Sequence, residues 1–380
     1  MKRLAVVHYS PLEFYPPAVN FLNAIAEKEL YNTKVWTTHN NKQRKVYKNP
    51  TLSSISRTIA PKKSDYKTFR LLKYLLFNFK TFMGLLFFNP EVILYYESYS
   101  AGPVYWYLKY FGTNKRLFIH CHEYFDPQWY AQGMSLVKLY NTYEKKYLYP
   151  NAAWISHTNA QRVAFFLADH PNIPENRVHV VENHPPESWN SISRTKTVLN
   201  KNDKKQLKFV YVGSLSLENT FIKEFCDWVI SKNGKVTFTI YAFNTTNPTY
   251  NYLSSLHSEY INFKPGGIEY DKIPHVLSGY DIGVILYKGN TLNAKFCASN
   301  KLFEYLVCGL EVWVSKEQEG SLPYVNLASR PRVKLLDFGY LQEKLIADYY
   351  QSSTLSLSKV SYNFEKTIKM FMNKLNIEVD

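Results

Sequence analysis

Hydrophobic positions in the first half of the chain fall into short unbroken runs separated by stretches of helical spacing. The runs Leu4–His8, Lys34–Thr38, Glu91–Tyr96, Arg116–His120, Ala153–Ser156 and Val178–Glu182 are predicted strands. Between them, 17–30, 101–110, 136–149 and 160–168 carry apolar residues at three- and four-residue steps and are predicted helices. Strands that are apolar throughout, alternating with helices, argue for a parallel sheet covered on both faces. The pattern restarts after Pro185-Pro186 and the polar run Ser188–Lys205. Strands are predicted at Lys208–Val212, Val236–Tyr241, Ile261–Lys264, Ile282–Tyr287, Glu311–Ser315 and Val333–Leu336, with helices near 220–232, 250–259, 273–278, 299–308, 340–350 and 361–375. The expected organisation is an α/β domain over 1–187, a linker over 188–206, a second α/β domain over 207–352, and a C-terminal helical segment over 353–380. A chain of 380 residues is too long for one ordinary core, which agrees with two domains.

The segment 69–88 stands apart. Phe69, Leu72, Leu76, Phe79, Met83 and Leu86 form an apolar helical stripe, widened by Leu71, Leu75, Phe82 and Phe87 and bordered by Arg70, Lys73 and Lys80. Two readings stay open: a helix buried against the sheet, or one that lays a face into a lipid headgroup layer. The loop expected before it is strongly basic. Eleven Lys or Arg (42, 44, 45, 48, 57, 62, 63, 67, 70, 73 and 80) face a single acid, Asp65, between Asn41 and Lys80, and so supply +10 of the net +15. A charge run is often only a solvated face, yet beside an apolar helix it favours an anionic partner. Near anionic lipid each such residue contributes about 1 kcal/mol. The expectation is a peripheral protein held through residues 42–80 on the inner face of the cytoplasmic membrane. No nucleic-acid reading motif is present, and no nucleic acid is expected as a partner.

Four cysteines without CxxC spacing read as reduced thiols of a cytoplasmic protein. The short apolar run Leu4–Val7 is a strand rather than a signal peptide. No uninterrupted run of about 18 apolar residues occurs, so no spanning helix is expected.

Ligands of open α/β sheets bind beyond the carboxyl ends of the strands, which directs attention to a few loops. Gly213, directly after a strand, allows close backbone approach, and Ser214 and Ser216 offer hydroxyls to a phosphate. The stretch 281–315 reads as strand, polar loop, helix, glycine stop at Gly309 and strand. A polar loop feeding a helix start presents free N–H groups and a positive dipole end. Lys301 lies in that first turn, where a lysine is unfavourable for the dipole. The misfit points to a purpose such as binding phosphate, though a surface lysine accounts for it equally well. Lys295, in the preceding loop, is a second candidate cation. Asn293, Ser299 and Asn300 either touch a ligand or cap the helix. Glu304 is placed to accept hydrogen bonds from a sugar's hydroxyls, and Tyr287 to line a base pocket or pack in the core. In the first domain His122 and Glu123 end the strand Arg116–His120 and offer a base or an orienting group to an acceptor. Tyr9, Ser10 and Glu97 lie at neighbouring strand ends, while His120 reads as core. No metal site is expected.

The segment 281–315 resembles the nucleotide-sugar donor site of glycosyltransferases with the GT-B fold, most of all the retaining family 4. The resemblance implies two Rossmann-like domains facing each other across a cleft, with the acceptor in the first and the donor in the second. It implies transfer of a sugar from a nucleoside-diphosphate sugar, with no cofactor, to a glycan or lipid-linked acceptor in surface polysaccharide synthesis. Glu304 matches the second acid of the family's donor motif, which grips the ribose; the first acid would fall on Phe296 and is missing. The Gly213 loop matches the glycine loop facing the diphosphate. The Arg and Lys-Gly that many members carry after it are replaced by SLSLENTFIKE, leaving Lys301 and Lys295 to supply charge. His122-Glu123 resembles the family's His-Glu segment, and Asn183-His184 its Asn-Gly. Two other readings remain: a sugar-nucleotide epimerase, which calls for more acids and histidines than the sequence places, and a non-catalytic membrane- or nucleic-acid-binding protein.

Overall fold

The structure, a computed structural model, describes residues 1–39, 44–62, 64–112, 114–191, 206–358, 360 and 362–376. The chain divides into two compact units, Met1–Glu182 with Glu365–Asp380, and Asn183–Phe364. Most of the expected linker, and Lys42 and Lys63 of the basic window, lie outside the described residues.

The first unit holds seven parallel strands, β1 (Lys2–His8), β2 (Tyr31–His39), β3 (Ser54–Ile59), β4 (Val92–Tyr96), β5 (Arg116–Cys121), β6 (Trp154–His157) and β7 (Val178–Val180), in the order β3-β2-β1-β4-β5-β6-β7. Chain order reverses between β1 and β4, so the crevice of this doubly wound sheet opens beyond His8 and Tyr96. Strand β3 corrects the expectation of a loop. It is an edge strand in which only Thr58 is buried, so SISRTI needs no apolar run. Its Arg57 turns to Glu13 at 3.3 Å. The C-terminal helix Lys369–Asn376 packs on this unit, with Phe371 edge-on to Phe21 and Phe118, and Tyr31 donates to the Leu375 carbonyl at 2.7 Å.

The helix Lys67–Phe88 is built the other way round from its stripe. Tyr74, Phe77, Thr81, Leu85 and Phe88 face the core, while Phe69, Leu72, Leu76 and Phe79 are exposed. Gly84 lets it approach β2, since a methyl there would fall 2.2 Å from Trp36 Nε1. Against the expectation of no spanning helix, its 22 residues are long and apolar enough to cross a membrane by composition, four basic residues notwithstanding. Its inner face is nonetheless part of this unit's core. The helix expected over 136–149 breaks at Glu144–Leu148 into a wider turn. That turn aims the fully buried Glu144 at the core, where it accepts from Tyr95 at 2.8 Å and from Ser98.

The second unit repeats the plan with six parallel strands, β8 (Leu207–Val212), β9 (Val236–Tyr241), β10 (Ile261–Lys264), β11 (Ile282–Ile285), β12 (Glu311–Ser315) and β13 (Val333–Leu336), ordered β10-β9-β8-β11-β12-β13. The reversal falls between β8 and β11. Residues at both ends of the expected linker and tail belong here: Trp189 is buried against Tyr270 at 4.9 Å, and the Phe364 N–H donates to the Pro185 carbonyl at 2.9 Å.

Candidate functional site

At the reversal point of the second unit, the helix Asn300–Val307 is fixed to the sheet by Tyr305. Its ring crosses Gly283 of β11, where an added methyl would lie 2.2 Å from Tyr305 Cδ2. Its hydroxyl accepts the N–H of Val212, the last residue of β8, at 3.0 Å. The helix start is thereby held beside the turn after β8. Gly213 in that turn has φ 140°, open to glycine and costly for other residues, and a methyl there would meet Lys301 Cε at 2.6 Å. Lys301 Nζ donates to Tyr287 Oη at 2.8 Å and lies 5.3 Å from the Tyr211 ring centroid and 5.1 Å from that of Tyr287. Tyr211 in turn donates to the Ser214 carbonyl at 2.7 Å. Burial works against the Lys301 ammonium, but the phenolic oxygens of Tyr211 and Tyr287 outweigh it and the lysine stays charged.

Ser299, the residue before the helix, makes no side-chain bond to the first turn. The Leu302 N–H donates to the Ser299 carbonyl at 2.9 Å, and those of Asn300 and Lys301 are left without a partner within the helix, beside a fixed ammonium. One turn on, Glu304 is 6% exposed; burial pushes its carboxyl up to about 7, against the pull of Lys301. The loop before the helix is clamped from behind: Gln318 Nε2 donates to the Cys297 carbonyl at 2.9 Å, and Gly320 lies against the backbone of Phe296 and Cys297.

In the first unit the reversal point is lined with rings. His122 stacks on Tyr96 at 5.0 Å and lies 4.8 Å from His120, 5.9 Å from His8 and 5.6 Å from Tyr15. Neither nitrogen of His122 has a hydrogen-bond partner. His8 Nδ1 donates to the Ser10 carbonyl at 2.6 Å, and His120 Nδ1 bonds Ser156 Oγ at 2.8 Å. Burial pulls His8 down to about 4, His120 to about 3 and His122 well below its usual range, so all three are neutral at pH 7. Next to them Glu97, directly after β4, has a left-handed backbone with φ 59° and a buried side chain. Its Oε1 accepts the Glu123 N–H at 3.1 Å. Burial first, then the Glu123 charge, pushes Glu97 up to about 8. Arg162 holds the loop by donating to the His122 carbonyl at 2.5 Å and to Thr158 Oγ1 at 2.7 Å, and stands 4.0 Å from Glu123. Glu97, Cys121, Glu123 and His157 line a pocket with Tyr130 and Tyr149. Among the described residues no group of three His, Cys, Asp or Glu is arranged for a metal.

No protein-family profile matches the chain, and no curated protein sequence matches it. Solved structures do. Anabaena HepE in complex with UDP-glucose aligns over 99% of each chain with a TM-score of 0.67 at 10% identity. The apo form of the lipopolysaccharide outer core galactosyltransferase WaaB covers 92% of this chain and 88% of its own, at 0.55 and 14%. UDP-GlcNAc 2-epimerase from Neisseria meningitidis bound to UDP-GlcNAc aligns over 99% of each chain, at 0.58 and 13%. Together with two doubly wound parallel sheets of seven and six strands, these likenesses settle the architecture. The chain has the GT-B fold.

Within the GT-B second unit, Gly213, Tyr287 and Lys301 are in contact, with Ser299, Asn300 and Glu304 on the same helix start. Other expected donor residues are engaged elsewhere. Lys295 pairs with Glu319 at 2.9 Å, held by the nearer charge. Ser216 Oγ accepts the Asn219 N–H at 3.1 Å and serves a turn. Ser214 is exposed, and Asn293 sits in the short helix Leu292–Lys295 that Thr291 caps. In the first unit His122, Glu123 and Glu97 come together as expected of strand ends. Tyr9 does not: it stacks on Tyr99 and meets Tyr74 and Phe77 edge-on, a packing role under the Lys67–Phe88 helix. Ser10 contributes its carbonyl, which also accepts from Thr37 Oγ1 at 2.9 Å. Arg162, Tyr15, Tyr211 and Tyr305 belong to these surroundings without standing out in the sequence as site residues. For Arg162 a signal existed, because a cation in the third position of a helix is the same dipole misfit that singles out Lys301.

Proposed function

We propose that this chain is a retaining glycosyltransferase of the family 4 type. It moves a sugar from a nucleoside-diphosphate donor to a glycan or lipid-linked acceptor in surface polysaccharide synthesis. The observation that carries this reading is Lys301, a charged lysine held against Gly213 at the start of a helix whose first N–H groups receive no side-chain cap. The diphosphate sits on that helix start, and Gly213 lets it come close. As the bond from the anomeric carbon to the diphosphate oxygen breaks, charge grows on the leaving phosphate, where Lys301 and the N–H groups stabilise it most. The acceptor oxygen bonds the same face of that carbon and passes its proton to the departing phosphate. Glu304 accepts hydrogen bonds from the ribose, and in the first unit Glu97, Glu123 and His122 offer their polar groups to the acceptor.

The test is a thermal-shift panel of nucleoside diphosphates and their sugars on the wild type and Lys301→Ala. A ligand at a hundred times its Kd stabilises the fold by about 2.7 kcal/mol. One base should give a selective shift that Lys301→Ala removes; a panel without any shift rejects the reading. The epimerase alternative gains from the cluster of His8, His120, His122, Glu97 and Glu123, which supplies the acids and histidines it calls for. Incubation with UDP-GlcNAc and no acceptor separates the two. An epimerised sugar detected by NMR selects the epimerase; an unchanged sugar selects the transferase.

A further inference from the structure

The helix Lys67–Phe88 carries two apolar faces, and only one is used. Its inner residues fill the first unit's core, yet Phe69 (56% exposed), Leu72 (61%), Phe79 (63%) and Phe87 (83%) point outward with Leu71, Leu75 and Leu76. The exposed area continues onto the neighbouring helix Glu97–Phe111, joined through the Phe82–Phe111 contact at 6.0 Å. There Trp106 and Tyr110 stack at 5.8 Å, and Tyr110 and Phe111 are exposed. Single exposed apolar side chains need no explanation, but a contiguous set on one helix marks a contact surface.

Charge decides the occupant. The helix contains no acid and four basic residues, Lys67, Arg70, Lys73 and Lys80. Lys73 is neutralised by Asp65 at 2.6 Å, whereas Lys67, Arg70 and Lys80 are exposed beside the apolar face, as is Lys62 just before it. Not all of the basic window belongs to this surface: Arg57 turns to Glu13, and Arg44 donates to the Glu13 carbonyl at 2.6 Å. A second copy meeting this face about a two-fold axis would set these cations against themselves. An apolar stripe with a basic border and aromatic rings at its edge matches instead an anionic bilayer, where apolar groups enter the headgroup boundary and cations meet phosphate. We infer that the outer face of Lys67–Phe88, with Trp106 and Tyr110 at its rim, docks the protein on an anionic lipid surface. The inference does not depend on the donor chemistry.

The surface also has a direction. Tyr74, near the basic end of the helix, donates to the Tyr99 carbonyl at 2.8 Å, two residues from Glu97. The basic end of the docked face is therefore the end beside the first unit's strand-end cluster.

The full chain is mixed with vesicles of phosphatidylcholine alone or with one third phosphatidylglycerol, and binding is read by flotation. Brominated acyl chains report insertion by quenching tryptophan fluorescence. The wild type should bind the anionic vesicles, show quenching, and detach as salt is raised. Lys67→Gln/Arg70→Gln/Lys80→Gln should bind about a hundredfold more weakly, at roughly fivefold for each cation. Phe69→Gln/Leu72→Gln/Phe79→Gln should lose at least tenfold with the melting point retained. Absence of wild-type binding, equal binding to the neutral vesicles, or binding unchanged in both variants overturns the inference. So does a dimer by light scattering that the apolar variant dissolves while vesicles stay unbound. The quenching and salt arms use the wild type alone, so an unstable variant leaves the test intact.

Discussion

Lys301 and Gly213 compete for one volume: a methyl on Gly213 would lie 2.6 Å from Lys301 Cε and 3.0 Å from its Nζ. The side chain that carries the charge is thus positioned by the absence of another. Gly213→Ala should displace Lys301 and strain a backbone at φ 140°, costing on the order of 1–3 kcal/mol. That is less than the 5–15 kcal/mol typical of a fold. The expected result is a folded protein with a lowered melting point that no nucleoside diphosphate restores. Full nucleotide stabilisation in this variant would show that Lys301 does not act at the site.

Lys301→Ala and Lys301→Arg separate charge from packing. If the ammonium stabilises the leaving phosphate, its removal should reduce turnover by about 100- to 1000-fold. Arginine keeps the charge but does not fit between Tyr211, Tyr287 and Gly213 as a point donor, so it should recover only part of the rate. Rates on a sugar nucleotide identified by thermal shift give the comparison. Equal activity in the alanine variant would move the charge-stabilising role elsewhere.

Glu304 should make both stability and donor binding depend on pH. Its carboxyl is pushed up to about 7 in the fold, against an ordinary value near 4.5. Between about pH 4.5 and 7 the folded state therefore holds the proton more tightly than the unfolded one. Stability falls as pH rises through that window, by about 3 kcal/mol in total from this group. Glu304→Gln should remove that slope, becoming more stable relative to the wild type up to pH 7 and no further. Ribose hydroxyls bond best to the carboxylate, so wild-type donor affinity should rise through pH 7 while that of Glu304→Gln stays flat. Parallel melting and binding titrations from pH 5 to 8 read both effects.

The alternation of strands and helices was visible because parallel strands buried on both faces appear as plain apolar runs. Edge strand β3 is not, since only Thr58 in it is buried and Ile55 and Arg57 are half-buried. The stripe Phe69-Leu72-Leu76-Phe79 is plain in the sequence, but periodicity alone does not say which of two apolar faces turns inward. Tyr74, Phe77, Leu85 and Phe88 took that place because Trp36 and Gly84 let that side close on β2. Lys301 was legible from a local misfit with the helix dipole. Tyr287 reads from the sequence as a base-pocket or core residue, but Tyr211 does not stand out, because a tyrosine in a strand looks the same whether it packs or lies beside an ammonium. Lys295 satisfied the sequence argument equally well, but Glu319 lies 24 residues away in the chain and no local rule could pair them.

The start of β12 offers a stability control remote from the strand-end turns. Glu311 is 4% exposed, pairs with Arg332 at 2.7 Å and accepts from Trp313 Nε1 at 2.8 Å. Glu311→Ala leaves a buried guanidinium without its partner and should cost about 3–5 kcal/mol. Because Glu311 stands at the opposite end of β12 from the turns proposed to bind the donor, nucleotide stabilisation of whatever remains folded should be unchanged. Chemical denaturation with and without nucleotide checks both statements.

Glu97 shows the same physics at the first unit's cluster, with a neighbour that tunes it. Burial and the adjacent Glu123 push it up to about 8 from about 4.5, while its φ of 59° holds the side chain over the Glu123 N–H. The folded state again binds the proton more tightly, so Glu97 contributes a stability that declines as pH rises from about 4.5 to 8. The full fall is about 5 kcal/mol. Glu97→Gln should flatten the profile and be more stable than the wild type at pH 8, with little difference at pH 4.5. Glu123→Gln removes only the second cause, so it should narrow the window from its upper end without abolishing it. A wild-type profile that stays level from pH 4.5 to 8 and matches both variants would mean that Glu97 is ionised and solvated rather than buried.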